Sequence, residues 1–204
     1  TWDAVEVDHT GEYNPDHIAA LAEMGAFGMK IPTEYGGLGF DQLEYAQVME
    51  LLGCVDGNLT ALLSAHQSIG VPQPLKLFGS EELKKKYLPR CAKGEISAFA
   101  LTEPEVGSDP ARLTTQVKLS EDGTEYIMNG TKLWCTNGTM AKMLVVMMIV
   151  IMLAASMVLV DEGRGVRCAF LVSCLLIALS RRPRSVGPVG PFLLLNLVIY
   201  YNIP

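Results

Sequence analysis

Apolar residues recur with helical spacing through the first half of the chain. Asn14 followed by Pro15 is typical of a helix start, and the apolar stripe after it predicts a helix to about Met24. Asp41 and Glu44 stand before a second apolar stripe at the spacing of a capping box. The N-terminal part of the chain is therefore predicted to be helical.

Glycine and proline residues divide the rest of this helical part. The second helix should end at Gly53, and a third helix is predicted over residues 58–69, closed by the glycine and proline at positions 70 and 72. A fourth, short helix is predicted from its cap Ser80 to Tyr87, stopped by Pro89. These breaks favour a bundle of short helices.

Beyond residue 95 the pattern changes to short runs separated by Gly, Pro, Asp and Asn clusters. Strands are predicted over residues 96–101, 114–119 and 125–128. The Asp-Gly pair at 122–123 and the Asn-Gly pair at 129–130 each predict a tight hairpin turn. An all-helical part followed by an antiparallel β-domain is the predicted architecture.

A long apolar run covers residues 143–160, MLVVMMIVIMLAASMVLV, and a second run follows at 168–179. The first run has the minimum length of a membrane-spanning helix, but buried strands also read as continuous apolar residues. Periodicity alone leaves a membrane hairpin and a β-hairpin equally open.

Composition narrows the class of protein. Half of the 204 residues are apolar, 19% are charged and the net charge is −6, which argues against a disordered tail and against nucleic-acid binding. Five cysteines without a CxxC pair and three scattered histidines predict neither a disulfide framework nor a metal site, and a reducing compartment fits. No signal or transit peptide is visible in the printed residues.

Two polar segments carry the candidate chemistry, FALTEPEVGSDPARL at residues 99–113 and NGTKLWCTNG at residues 129–138. Neither is a nucleotide fingerprint, because GxGxxG at a strand-to-helix turn and GxxxxGK[ST] are both missing. Taken singly, the first segment is typical of a surface turn and Trp134 of a core anchor.

Taken together, the TEPxxGSD and WxTNG patterns in these segments resemble the acyl-CoA dehydrogenase family. IPTEYGGLGF at 31–40 and KLFGSEELKKKYLPRCAKGE at 76–95 are similar to further stretches of that family. AHQSIG at 65–70 is similar to its long- and very-long-chain branch. The resemblance covers nearly the whole chain.

The resemblance implies an α+β fold. An N-terminal all-α helical domain is expected at residues 1–94 and an antiparallel β-barrel-like middle domain at 95–204. The family's C-terminal helical domain is expected to be absent from the chain, which stops at Pro204. The family's catalytic base lies in that domain, so no residue of this chain is assigned as the base.

The activity implied by the resemblance is the FAD-dependent α,β-desaturation of an acyl-CoA thioester, with hydride passing to flavin N5 and fixed donors stabilising the charge left on the flavin. The chain alone should show no catalytic turnover of the acyl-CoA substrate. Implied partners are an electron-transfer flavoprotein and further copies of the chain, as a dimer or tetramer, in the bacterial cytoplasm or the mitochondrial matrix. Alternatives with the same fold are an acyl-CoA oxidase, a flavin monooxygenase, or a noncatalytic membrane-associated protein.

The resemblance also implies which residues bind the flavin. Thr102 would donate to the pyrimidine side of the ring, Trp134 would pack against the ring system, and Thr136 would place its hydroxyl near N5. Gly107 would let the backbone approach the cofactor, and Ser108 would contact both the FAD diphosphate and the pantetheine arm of the substrate. The full predicted cofactor set is Phe99, Ala100, Leu101, Thr102, Gly107, Ser108, Trp134, Cys135 and Thr136.

Three residues in these segments invite a catalytic interpretation that the sequence does not favour. No basic residue stands next to Cys135 in the sequence to lower its pKa, so a small packing residue is the better interpretation than a redox thiol. Glu103 and Glu105 are better explained as loop caps than as a general acid and base.

Residues 143–160 carry no charge, which departs from the family's pattern. In an antiparallel sheet with one face exposed to solvent, polar and apolar residues should alternate. Three explanations are open. The stretch is buried by another domain or subunit, it is a membrane hairpin, or the sequence there is imperfectly determined, a hypothesis that peptide mass spectrometry over residues 143–204 would test.

Overall fold

The computed structural model describes residues 2–119, 126–150, 154–161, 168–170 and 199–200. Helices fill the first part of the chain and strands the second, as predicted. The helices are α1 Ala4–Thr10, α2 Pro15–Glu23, α3 Gln42–Gly53, α4 Gly57–Ser64, α5 Pro72–Phe78 and α6 Glu81–Ala92. The strands are β1 Ser97–Ala100, β2 Gln116–Leu119, β3 Tyr126–Asn129, β4 Met143–Val150, β5 Ala154–Asp161, β6 Cys168–Phe170 and β7 Ile199–Tyr200.

Three predicted helix starts are confirmed by their caps, at Asn14, Asp41 and Ser80, the last of which accepts from the Leu83 amide. The side chain of Asn14 accepts a hydrogen bond from the Asp16 amide, 2.9 Å away, at the start of α2. Asp41 and Glu44 form the reciprocal capping box of α3, with the Asp41 amide 2.9 Å from Glu44 Oε2. Each cap satisfies amides that the first helical turn leaves without a partner.

Several helix boundaries differ from the prediction. Helix α6 runs through Pro89 because a proline removes only one hydrogen bond, and the last turn buries Leu88 and Cys91. Pro72 does not close the third helix but opens α5, where a proline at the first positions fits. The residues before it, Ala65–Ile69, form a single π-helical turn that ends the third helix, and α1 was not predicted.

The helices enclose an apolar cluster that extends to Ile96, the residue before β1. Its buried members are Phe27, Met29, Tyr45, Leu59, Leu62, Leu63 and Ile96. Burial of such side chains stabilises the fold by about 1.5–3 kcal/mol each relative to exposure.

Six of the described strands form a sheet in the order β6-β5-β4-β2-β3-β7. Strands β2 and β3 are antiparallel with Gln116 opposite Asn129, and β5 and β6 are also antiparallel. The β-domain is confirmed, but the sheet is mixed, since β2 pairs with β4 and β3 with β7 in parallel. The parallel pairing of β2 with β4 arises from the connection between β3 and β4. Residues 130–142 lead the chain away from β3, so β4 crosses over and pairs with β2.

The prediction of a hairpin at residues 129–130 is wrong. Gly130 does not adopt a positive φ, and the strand after it pairs with β2 rather than β3. The glycine serves close packing instead, because a Cβ at Gly130 would lie 2.7 Å from the Cα of Thr115. The other predicted turn, at residues 122–123, lies outside the described residues.

The first apolar run forms strands, β4 and β5, instead of one helix. Along β4 the side chains of Met143, Val145, Val146 and Met148 are buried, which explains the lack of polar alternation. Among the described residues, every helix is too short or too polar to cross a bilayer. Only Cys168–Phe170 of the second run is described, as β6.

The chain divides into two compact units. The helical unit comprises Thr1–Phe99 and Thr136–Met143, and the β-unit comprises Ala100–Cys135 and Leu144–Pro204. Asn137 fixes the returning segment in the helical unit, since its side-chain amide donates to the carbonyls of Leu62 at 3.0 Å and Ser97 at 3.4 Å. The predicted domain boundary between residues 94 and 95 stays a prediction.

Candidate functional site

Two loops of the β-unit are joined by direct hydrogen bonds. The first loop is residues 101–113 and the second is residues 130–135. The Leu133 amide donates to the Thr102 carbonyl at 2.8 Å, and Lys132 Nζ donates to the Leu101 carbonyl at 2.9 Å. The two sequence motifs therefore meet, as their predicted common role requires.

A buried ion pair holds the junction of the loops. Glu103 is 2% exposed, and its Oε1 lies 2.8 Å from Lys132 Nζ. The amide and hydroxyl of Thr114 donate to Glu103 Oε2, each at 2.6 Å, and Thr115 donates in the same two ways to Oε1. The carboxylate thus ties the first loop to the second and to the chain entering β2.

The hydrogen bonds keep Glu103 ionised. Burial acts to raise its pKa, but the donors from Lys132, Thr114 and Thr115 outweigh burial and hold the pKa well below its usual range. Such a carboxylate does not exchange protons at neutral pH, and Glu105 is exposed. Loop capping is the role that the geometry gives Glu103, and sequence reasoning missed its partners Lys132 and Thr115.

Stability should therefore fall in acid through Glu103. Because its folded pKa is depressed, its contribution is complete above the pKa of a free glutamate, about 4.3, and is lost as the pH falls from there toward the folded pKa. Urea unfolding at a series of pH values below about 5 measures this loss. Glu103→Gln should show a flatter acid limb, and parallel curves for the two proteins would contradict the assignment.

Trp134 stands out on the second loop. Its side chain is 87% exposed, and its backbone has a φ of 56°, a left-handed conformation that a bulky residue adopts at a cost of about 1–3 kcal/mol. The prediction of a core anchor for this residue taken alone is wrong, because the indole packs on nothing that would bury it. A large apolar side chain held out on a strained backbone suits a ligand contact.

The first loop offers unused donors. Among the described residues, neither the amide nor the hydroxyl of Thr102 donates a hydrogen bond, and Ser108 is exposed. A Cβ built on Gly107 meets no atom within 4 Å, so the protein's own packing does not require glycine there. Space beside Gly107 and free donors at Thr102 and Ser108 fit an approaching polar ligand.

The remaining predicted site residues flank these loops. Ala100 is buried, and Phe99, Leu101 and Cys135 are half-buried. Thr136 is exposed and, like Phe99, belongs to the helical unit, where each directly adjoins a β-unit residue in the chain.

The thiol of Cys135 lies 3.7 Å from the Leu133 carbonyl. Burial raises the pKa of Cys135, and the nearby ammonium of Lys132 opposes that rise only in part. The thiol is therefore protonated at neutral pH, which agrees with a packing role. Among the described residues, no group of three or more His, Cys, Asp or Glu side chains is placed to hold a metal ion.

The fold and both loops define an acyl-CoA dehydrogenase family member. Residues 2–95 match the family model "Acyl-CoA dehydrogenase, N-terminal domain", and residues 98–171 match "Acyl-CoA dehydrogenase, middle domain". The chain belongs to this family, and the resemblance seen in the sequence is confirmed.

Individual relatives agree with the family. The chain is 52% identical over 147 residues to "Probable acyl-CoA dehydrogenase FadE10" of Mycobacterium tuberculosis, covering 72% of this chain and 23% of the relative. It is 41% identical over 140 residues to the mitochondrial "Very long-chain specific acyl-CoA dehydrogenase" of Rattus norvegicus, covering 68% of this chain and 21% of that one. The crystal structure of the Bacillus anthracis acyl-CoA dehydrogenase complexed with FAD is 37% identical, with a TM-score of 0.67, covering 72% of this chain and 25% of that one.

The chain therefore spans less than a quarter of the length of these curated relatives. The helical N-terminal part followed by a β-rich middle part is the arrangement predicted from the sequence, and it is confirmed. FAD, the cofactor that the resemblance implied, is bound in the Bacillus anthracis relative.

Proposed function

We propose that residues 1–204 form the helical part and the flavin-ring part of an FAD-dependent acyl-CoA dehydrogenase that desaturates a long-chain acyl-CoA thioester. The observation that carries this proposal is the junction of the two loops, with the Leu133 amide on the Thr102 carbonyl and Trp134 held out beside it. Membership of the family supports the reaction class.

The residues of the junction fit a flavin. An isoalloxazine ring needs a flat apolar contact on one side and donors along its pyrimidine edge, and the exposed indole and the unused donors of Thr102 match these needs. When bound, FAD supplies the acceptor for the hydride that leaves the β-carbon of the thioester.

In this proposal the site residues divide the binding of flavin and substrate among them. Thr102 donates to the pyrimidine edge, where fixed donors stabilise negative charge without reorganisation. Trp134 covers the ring system and excludes water, and Thr136 sets its hydroxyl near N5. Ser108 binds the diphosphate and the pantetheine arm, while Phe99, Ala100, Leu101, Gly107 and Cys135 shape the pocket or lend backbone contacts.

Tryptophan fluorescence tests the flavin site directly, because Trp2 and Trp134 are the only tryptophans in the chain. In the variant Trp2→Phe, all indole emission comes from Trp134, and added FAD should quench most of it. Trp134→Phe is the matched control, in which emission from Trp2 should respond weakly. Unchanged emission of Trp2→Phe at saturating FAD would contradict the proposal.

Turnover should be absent from residues 1–204 by themselves. The family resemblance assigns the base to a C-terminal helical domain, and this segment contains no residue that we assign to that role. Residues 1–204 with FAD, a long-chain acyl-CoA and an electron-accepting dye should bleach the dye no faster than free FAD, whereas a full-length acyl-CoA dehydrogenase serves as the positive control. Substantial turnover would refute the proposal that residues 1–204 lack the catalytic base.

Partners follow from the same proposal. Electrons would pass to an electron-transfer flavoprotein, and the chain would assemble as a dimer or tetramer in the bacterial cytoplasm or mitochondrial matrix. Rapid formation of peroxide by the reduced protein in air would instead favour an acyl-CoA oxidase or a monooxygenase. Detergent-dependent solubility without flavin binding would favour the noncatalytic alternative.

A further inference from the structure

Lys132 makes one hydrogen bond in addition to the ion pair that links the two loops. Its Nζ donates to the Leu101 carbonyl at 2.9 Å as well as to Glu103 at 2.8 Å. The side chain is only 7% exposed, so little solvent screens its charge. An ammonium group is therefore buried against one particular peptide group, the one that joins Leu101 to Thr102.

That peptide group has its carbonyl on Leu101 and its N–H on Thr102. Because the two ends are conjugated, a cation at the oxygen draws electrons from the nitrogen and makes the N–H a stronger donor. The effect is larger in a site of low dielectric than in water. Among the described residues, the Thr102 amide is not used as a donor, so the gain is available to a ligand.

Glu103 holds the ammonium group of Lys132 in place. Its carboxylate is held by Thr114 and Thr115 and in turn holds the ammonium of Lys132. Burial lowers the pKa of Lys132, and the ion pair with Glu103 opposes that shift and favours the charged form. The pair is close to neutral at a distance, so its main effect is local, on the carbonyl that Lys132 touches.

We propose that Lys132 is a positioning and polarising residue that strengthens the Thr102 amide as a donor to the electron-rich edge of the reduced flavin, and so makes the bound flavin easier to reduce. This inference rests on the proposed function, because it takes the flavin edge to lie at Thr102. Lys132 acts through the peptide group and touches neither cofactor nor substrate.

The double variant Lys132→Met/Glu103→Gln removes the ammonium without leaving a buried charge unpaired, so it should fold. Relative to oxidised flavin, reduced flavin should bind about tenfold more weakly in this variant, which moves the two-electron midpoint potential by about 30 mV in the negative direction. The affinity for oxidised FAD should change by less than about threefold. Lys132→Arg keeps the positive charge and should retain most of the wild-type potential.

A second measurement needs no flavin. In the flavin-free protein, the carbonyl carbon of Leu101 and the amide proton of Thr102 should both shift upfield in the NMR spectrum of the double variant, and Lys132→Arg should largely restore them. These chemical shifts report the polarisation of the peptide group. They would stay unchanged if Lys132 only linked the two loops.

The outcomes separate the inference from the proposed function. A double variant that binds flavin at the wild-type potential, or that keeps the wild-type shifts of Leu101 and Thr102, overturns the inference. Failure of the wild-type protein to bind flavin contradicts the proposed function, and the NMR shifts then still decide whether Lys132 polarises the peptide group.

Discussion

Replacing Glu103 by glutamine should lower the free energy of unfolding by about 3–5 kcal/mol. The substitution keeps the size of the side chain but removes the charge that balances Lys132, which is buried at 7% exposure. It also replaces an acceptor of donors from Thr114 and Thr115 by an amide that has one oxygen only. A buried charge without its partner is one of the most costly defects that a single substitution creates.

Urea unfolding followed by circular dichroism measures this loss. The matched control is Glu105→Gln, which removes the same charge from an exposed position in the same loop and should stay within about 0.5 kcal/mol of the wild type. Lys132→Met/Glu103→Gln should recover much of the stability, because both charges leave together. Equal stabilities of Glu103→Gln and Glu105→Gln would show that the ion pair does not hold the loops.

Replacing Trp134 by alanine should weaken flavin binding about 10- to 100-fold, the range expected when a stacking surface for a planar ring is removed. Stability should hardly change, because the indole is 87% exposed and alanine inherits the same backbone strain at a φ of 56°. The combination of a large loss in affinity with an unchanged unfolding curve distinguishes a ligand contact from a core residue.

FAD titrations followed by flavin fluorescence measure the affinity. Trp2→Ala is the control, since Trp2 donates to Asp56 at 2.6 Å and packs on Tyr13 and His17. That variant should lose stability and keep its affinity for FAD. An affinity of Trp134→Ala within about twofold of the wild type would argue that the ring lies elsewhere.

Local signals allowed much of the helical unit to be predicted. The caps at Asn14 and Asp41 depend on residues two or three positions away, so the sequence displays them directly. Pro89 was misread for the opposite reason. Its effect depends on the burial of Leu88 and Cys91 by distant parts of the chain, which outweighs one missing hydrogen bond.

In the sheet and the site as well, local features could be predicted and contacts between distant residues could not. The strands over residues 116–119 and 126–129 follow from short runs between clusters of turn residues, but the parallel pairing of β2 with β4 follows from a crossover that no local pattern reveals. The two motifs pointed to Thr102 and Trp134 by resemblance. Lys132 was missed because its partner Glu103 lies 29 residues away and only the folded loops bring them together.

The return of residues 136–143 to the helical unit has a consequence for synthesis of the chain. Ribosomes release a chain N-terminus first, at about 5–20 residues per second. The carbonyl of Leu62 must wait for Asn137, 75 positions later, before it gains that partner. The helical unit is therefore complete only after the segment up to Met143 has left the ribosome, although most of its residues emerge much earlier.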